Sequence, residues 1–115
     1  MKSLEKDMKK LVFNDCTFYV SKNVYEPAED TFLLAENLVV SENDVVLDVG
    51  TGCGILGVLA AKKAKKVVAT DINPNAIDCA RINAMQNSVL EKMDIRQGNL
   101  FEPIKKSEKF DMIIF

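Results

Sequence analysis

The run Val45-Val46-Leu47-Asp48-Val49 leads without a break into Gly50-Thr51-Gly52-Cys53-Gly54 and then Ile55-Leu56-Gly57-Val58, and this junction constrains the fold more than any other stretch. A β-branched run that is apolar on both faces suits a strand covered from both sides, as in a parallel sheet. Glycine has no Cβ and tolerates positive φ, so a glycine-rich turn after such a strand brings bare backbone close to a ligand. Four of the chain's five glycines fall between Gly50 and Gly57.

The alternation begun there continues. Ile55 to Lys65 mixes apolar and small residues as a helix does, and Lys66 to Thr70 is a second buried-type strand ending at Asp71. Asn73-Pro74 is a helix-capping pair, and the helix it opens should run to about Gln86 or Asn87. Met93 to Gln97 reads as a third strand and Phe110 to Phe115 as a fourth. With right-handed crossovers this predicts an α/β fold, a doubly wound parallel sheet whose ligand crevice lies at the carboxyl ends of the strands, beside the first. Upstream, Glu26-Pro27-Ala28-Glu29-Asp30 is a helix start, and Ala28, Phe32, Ala35 and Val39 carry a helix from about Pro27 to Val39. Leu11-Val12-Phe13 and Thr17-Phe18-Tyr19-Val20 flank the turn pair Asn14-Asp15, a hairpin pattern. The N-terminal decapeptide MKSLEKDMKK is mostly charge and reads as a solvated lead-in.

Composition narrows the chemistry. A chain of 115 residues, 48% hydrophobic and 28% charged, builds one modest core. Its formal charge of −2 supplies no cationic excess for phosphate backbones or anionic lipid. The longest apolar run, Ile55 to Ala61, is far short of the ~20 residues that span a bilayer. Three widely spaced cysteines, Cys16, Cys53 and Cys79, argue against a disulfide framework and for a reducing, cytoplasmic setting. Histidine is absent, which excludes Ser-His-Asp and Cys-His nucleophiles and His-ligated zinc. The basic cluster Lys62-Lys63-Ala64-Lys65-Lys66 suits a helix C-terminus, Cys79 suits a helix core, and Cys53 needs no redox role.

Three ligand classes use a glycine loop of this kind. A phosphate-cradling P-loop needs a lysine and a hydroxyl residue after its last glycine, but Ile55 and Leu56 follow Gly54. The dinucleotide fingerprint fits better, because Gly52 to Gly57 matches G-x-G-x-x-G and Asp71 lies near the distance of a ribose ligand. Asp48 separates the remaining two. A carboxylate ending an apolar strand would repel a pyrophosphate on the next helix terminus and suits a ligand that carries positive charge. S-adenosylmethionine has a sulfonium, an ammonium, one carboxylate and two ribose hydroxyls. Loop amides can take its carboxylate, Asp48 can face its ammonium side, and Asp71 can accept both hydroxyls. The plainer alternative is a paired structural acid beside a simple turn.

The segments VYEPAEDTFLL (Val24 to Leu34) and LDVGTGCGILG through ATDINPNAI (Leu47 to Ile77) resemble class I S-adenosylmethionine-dependent methyltransferases of the HemK type. These are the protein-glutamine N5-methyltransferases, and YEPAEDTFLL is similar to the short archaeal and eukaryotic branch. The resemblance implies a Rossmann-like sheet, with one partial domain over residues 1–115: a lead-in and hairpin over 1–23 and a cofactor-binding half over 24–115. It implies cofactor contacts from Thr31, Asp48, Gly50, Gly52, Asp71, Asn99 and Leu100. Thr31 alone reads as an ordinary first-turn residue, and only the resemblance promotes it. Asn99 stands where the family usually carries an acid, and its amide oxygen can still accept from the adenine amino group, with Leu100 over the ring. The implied substrate is a glutamine of a class I release factor, with a small zinc-binding activator subunit as partner and no metal in this chain.

In that family the fourth strand runs into Asn-Pro-Pro-Tyr, which holds the substrate amide, whereas this chain stops at Phe115. The expectation is therefore a fragment without identifiable catalytic residues. Its fourth strand would sit at a sheet edge and could pair with another copy. Two other readings stay open: a methyltransferase for DNA or RNA amino groups, and a non-catalytic module binding this or a nicotinamide cofactor.

Overall fold

A computed structural model describes residues 8–24, 27 and 29–115. Strands β1 (Met8–Phe13) and β2 (Cys16–Ser21) form an antiparallel hairpin in which Phe13 pairs with Cys16. The two-residue loop left between them is Asn14-Asp15, with φ of 48 and 63. Both values lie in the left-handed region a type I′ turn demands, and Asn and Asp tolerate it better than most L residues. Met8 to Lys10 depart from the expected solvated lead-in, since they pair with Tyr19 to Ser21. Along β2, Cys16, Phe18 and Val20 are buried while their neighbours are half-buried, the period-two pattern of a strand with one face on a core.

Helix α1 (Glu29–Glu36) is shorter than the expected span. Its start at Glu26 and Ala28 lies outside the described residues, and Pro27 precedes the helix. At the other end the Asn37 amide nitrogen donates to Leu33 O at 2.8 Å, so a terminal carbonyl is satisfied and the chain leaves before Val39.

The remaining elements are β3 (Val45–Val49), α2 (Ile55–Ala61), β4 (Lys66–Asp71), α3 (Pro74–Gln86), a 3-10 turn (Leu90–Lys92), β5 (Met93–Gln97) and β6 (Met112–Ile114). The four strands β3 to β6 are parallel in the order β5-β4-β3-β6. From β3 the chain steps outward through β4 to β5, then returns past β3 to β6. The order reverses beside β3, which makes its carboxyl end the place where such sheets hold ligands.

On one face a single apolar cluster joins Val46, Val67, Ala69, Met93, Ile95 and Ile114 to α2, α3 and the hairpin. On the other, Leu47, Val49 and Val68 are covered by Ile104 and Phe110 of the β5–β6 link, with a non-helical segment doing what a helix does elsewhere. Covering both faces is what makes β3 and β4 read as unbroken apolar runs.

Two expected boundaries move. Helix α2 ends at Ala61 and not Lys65, because Ala64 N bonds back to Ala60 O at 2.8 Å and Lys65 N is drawn to Asp44 O at 2.9 Å. From this turn Lys62 Nζ donates to Asn87 O at 2.8 Å, placing a cation on the carbonyl end of α3. Strand β6 begins at Met112 and not Phe110: Asp111 exchanges backbone N and side-chain Oδ2 with the two backbone groups of Val45, both at 2.8 Å. Phe110 meanwhile packs on the second face.

Helix α3 closes the hairpin's open edge without being a strand. Asn83 Oδ1 accepts from Tyr19 N (2.7 Å) and its Nδ2 donates to Tyr19 O (2.9 Å). One turn on, Asn87 treats Thr17 N and O the same way, at 3.2 and 2.9 Å. Residues i and i+4 of a helix thus meet i and i+2 of a strand. Asn83 Nδ2 also donates to Cys53 O at 2.6 Å, which ties the hairpin to the glycine loop.

Candidate functional site

The glycine loop leaves β3 at Val49 and enters α2 at Ile55. Gly50, Gly52 and Gly54 take φ of 70, 58 and 86. Gly54 is doubly constrained, since a Cβ there would stand 3.1 Å from Ala80 Cβ and 3.2 Å from Ala80 Cα. Gly57 serves a different purpose. A Cβ on it would approach Asp48 Oδ2 to 3.0 Å, so its absence lets α2 lie against β3 with the carboxylate between them.

Asp48 is 2% exposed. Its Oδ2 accepts from Thr51 Oγ1 at 2.7 Å, and the Gly57 backbone also bonds the carboxylate. Among the described residues no cation pairs with it. Burial is the main reason its pKa rises from 3.8 to about 6; the Thr51 and Gly57 bonds oppose that rise and the charge of Asp71 adds to it.

Asp48 forms the floor of a crevice of about 180 Å³ lined by the glycine loop, Thr31, Ile55, Leu56, Phe115 and Pro27. Among the described residues, neither lysine nor arginine lines it. Thr31 comes from the first turn of α1 and Phe115 from beyond β6, so the wall is assembled from both sides of the point where strand order reverses. Asp71 stands next to it at the end of β4. Its Oδ2 accepts from Gly52 N and its Oδ1 from Asn73 N, both at 2.9 Å, and each oxygen keeps a second lone pair.

The structure therefore gathers Thr31, Asp48, Gly50 and Gly52 around one crevice, with Asp71 bonded to its rim. Asn99 and Leu100 are not part of the enclosed space. They lie exposed beyond β5, joined to Asp71 through Gly98 N donating to Asp71 O at 3.0 Å. One expectation is revised: the loop amides are largely occupied. Thr51 N donates to Thr70 O, Gly52 N to Asp71 and Gly54 N to Thr51 O. Burial pushes the Cys53 thiol up to about 12 and raises Cys79 as well, which leaves both protonated and unreactive.

Sequence reasoning passed over Thr51 and Asn83. The signal for Thr51 was a hydroxyl three residues after a strand-end acid. For Asn83 and Asn87 it was two amides spaced i, i+4 along a helix stripe otherwise made of Ala76, Cys79, Ala80 and Ala84. A larger cavity, about 350 Å³, lies at the far end of α2 between the hairpin turn and Lys62-Lys63, and neither Asp48 nor any residue of the glycine loop lines it.

The methyltransferase small domain profile matches residues 15–115. A Methanocaldococcus jannaschii protein provisionally named protein N5-glutamine methyltransferase is 46% identical over 93 residues, covering 80% of this chain and 45% of its own. A release factor glutamine methyltransferase of Clostridium acetobutylicum is 36% identical over 112 residues, covering 91% of this chain and 39% of its own. Among solved structures, a tRNA m1G37 methyltransferase of M. jannaschii superposes with a TM-score of 0.83 at 27% identity, over 95% of this chain and 34% of that one. The chain spans less than half the length of the curated relatives it matches.

Proposed function

The chain belongs to the methyltransferase small domain family, and from that premise we propose that its crevice binds S-adenosylmethionine for transfer of a methyl group to a protein glutamine amide. The observation that carries this reading is Asp48, a buried carboxylate at the floor of a crevice, where no described residue supplies a cationic partner and no described lysine or arginine lines the walls. Such a site disfavours a pyrophosphate and favours a cation, which would supply the missing partner. Bound there, the cofactor would present an electrophilic methyl on its sulfonium.

The chain's own groups divide the remaining tasks. Asp48 faces the cationic end, and Asp71 offers its unused lone pairs to the ribose hydroxyls. Because most loop amides are engaged, the ligand's carboxylate falls to the Thr31 hydroxyl and the amides still open. At about 180 Å³ the enclosed space is below the ~300–1,000 Å³ of sites that surround a whole drug-sized molecule. It takes one end, and the nucleoside lies across the surface toward Asp71, Asn99 and Leu100. Alignment of donor and acceptor supplies the rate enhancement, on the order of 7–11 kcal/mol when it is good.

The names of the two curated relatives support a glutamine as the acceptor, the second names a release factor, and a class I release factor is the substrate proposed on that support. The likeness to a tRNA methyltransferase favours a second reading, an RNA amino group or ring nitrogen, against which stands a crevice lined by no lysine or arginine among the described residues. Calorimetry with S-adenosylhomocysteine and with NADH tests the cofactor: binding of NADH alone would end the proposal. Transfer of labelled methyl to a release factor and to tRNA, with and without a small zinc-binding activator subunit, tests substrate and partner together. Label in tRNA only would select the second reading.

A further inference from the structure

The link from β5 to β6 has no helix, yet it is held tightly. Arg96, on β5, grips it with a fork: Nη1 donates to Glu108 Oε1 at 2.8 Å and to Pro103 O at 2.9 Å, while Nη2 donates to Glu108 Oε2 at 2.9 Å and to Asp94 Oδ2 at 2.7 Å. The bidentate contact holds the Glu108 carboxyl down at about 2, helped by the Lys105 N–H on Oε1. Inside the link, Asn99 N donates to Glu102 Oε1 and Glu102 N to Asn99 O, at 3.1 and 2.9 Å. Pro103 lies so close to Gly98 that a Cβ there would meet Pro103 Cδ at 2.8 Å.

What this framework presents is unusual. Leu100 has φ 49 and is 60% exposed, so a leucine is held in the left-handed region while burying little. Conformations of that kind persist where surrounding contacts over-determine them, and they concentrate at ligand sites. Beside it the Asn99 side-chain amide is exposed and makes no hydrogen bond among the described residues. Neither residue contributes to either apolar cluster.

We propose that Arg96 is a positioning residue for recognition of the purine base: by drawing Glu108, Pro103 and Asp94 together it sets residues 98–108 so that Asn99 and Leu100 meet the adenine of the cofactor. This rests on the cofactor reading above. Asn99 reads the exocyclic amine through its amide oxygen, Leu100 covers the ring, and Gly98 N on Asp71 O keeps the base contacts in register with the ribose acid. Arg96 itself stays on the far side of the link and touches no ligand.

The test is calorimetry on the full 115-residue chain with S-adenosylhomocysteine and its inosine counterpart, in which a carbonyl replaces the amine. The wild-type chain should prefer the adenine compound. Arg96→Lys, which keeps the charge and loses the fork, should weaken that compound roughly tenfold at unchanged stoichiometry and shrink the preference over the inosine analogue. In an Asn99→Ala background the same change should cost little more, because the two act through one contact. A merely stabilising Arg96 would lower the melting temperature and leave the base preference intact, and that result overturns the proposal. So does a wild-type chain without base preference. If Arg96→Lys fails to fold, Glu108→Gln carries the same readouts. Failure of the wild-type chain to bind S-adenosylhomocysteine at all is a different result, which removes the cofactor reading and this inference together.

Discussion

At the scale of single residues, Asp48 sets two opposing demands. A carboxyl raised from 3.8 to about 6 is protonated in the folded chain over a range where the unfolded chain has already released its proton. Stability from this group is therefore present below pH ~3.8 and lost as pH climbs to about 6, for a total of about 3 kcal/mol. Glu108 acts in the opposite sense and lower down, its contribution falling away from about 4.5 toward 2, so the window between ~4.5 and ~6 belongs to Asp48. Thermal melts of Asp48→Asn should show a flatter pH profile in that window and a higher melting temperature near neutrality. The same variant should bind S-adenosylhomocysteine at least roughly tenfold more weakly, since neutral Asn offers a cation no charge. Wild-type affinity should likewise fall as pH drops through about 6. Gly57 makes the complementary case. Alanine there improves helix propensity by ~1 kcal/mol but sets a Cβ 3.0 Å from Asp48 Oδ2 and 3.2 Å from Met93 Cε. Net destabilisation of about 1–2 kcal/mol in urea melts is expected, against the gain that propensity alone forecasts.

At the scale of elements, the contact between α3 and β2 decides how the hairpin joins the sheet. A lone two-stranded hairpin is marginal in water, and one edge of this one is satisfied by two asparagines. Asn83 is fully buried and serves three backbone groups, so Asn83→Ala leaves Tyr19 N, Tyr19 O and Cys53 O short of partners. A loss of about 3–5 kcal/mol follows, against about 1–2 for Asn87→Ala, where Thr17 is half-buried and water can substitute. Equal losses in the two variants would count against this account. Strands β3 and β4 and helix α3 were legible to within a residue because burial on both faces, or a strong Asn-Pro cap, writes a clear local pattern, and β5 was legible from the alternation that buries Met93 and Ile95 alone. The ends of α2 and β6 were not, because they are set by partners distant in sequence, Asp44 O on Lys65 N and Val45 on Asp111, while α1 closes on a local side-chain bond from Asn37 to Leu33 O that leaves no period in the sequence.

At the scale of the whole molecule, the two sheet edges differ. Strand β5 carries the Asp94–Arg96 ion pair at 2.7 Å, a charged edge that discourages pairing. Strand β6 pairs with β3 on one side and offers Met112, Ile113 and Ile114, with Ile113 at 48% and Phe115 at 77% exposure. The 115-residue chain should therefore associate with increasing concentration in sedimentation velocity, and Ile113→Lys should suppress it. A strictly monomeric wild-type chain at high concentration would refute the expectation. No helix among the described residues is long and apolar enough to cross a membrane.

From the sequence alone came the alternation of strand and helix, the glycine turn and the two acids at consecutive strand ends, because each is a local pattern whose meaning follows from spacing and side-chain chemistry. The tertiary structure decided which of those groups share a space. Only the β5-β4-β3-β6 order brings Phe115, and only the placement of α1 brings Thr31, to the crevice floored by Asp48; only packing shows that loop amides are already bonded, and only the Arg96 fork reveals how Asn99 and Leu100 are held. Contacts between residues far apart in the chain leave no period in it, which is why no reading of spacing could have supplied them.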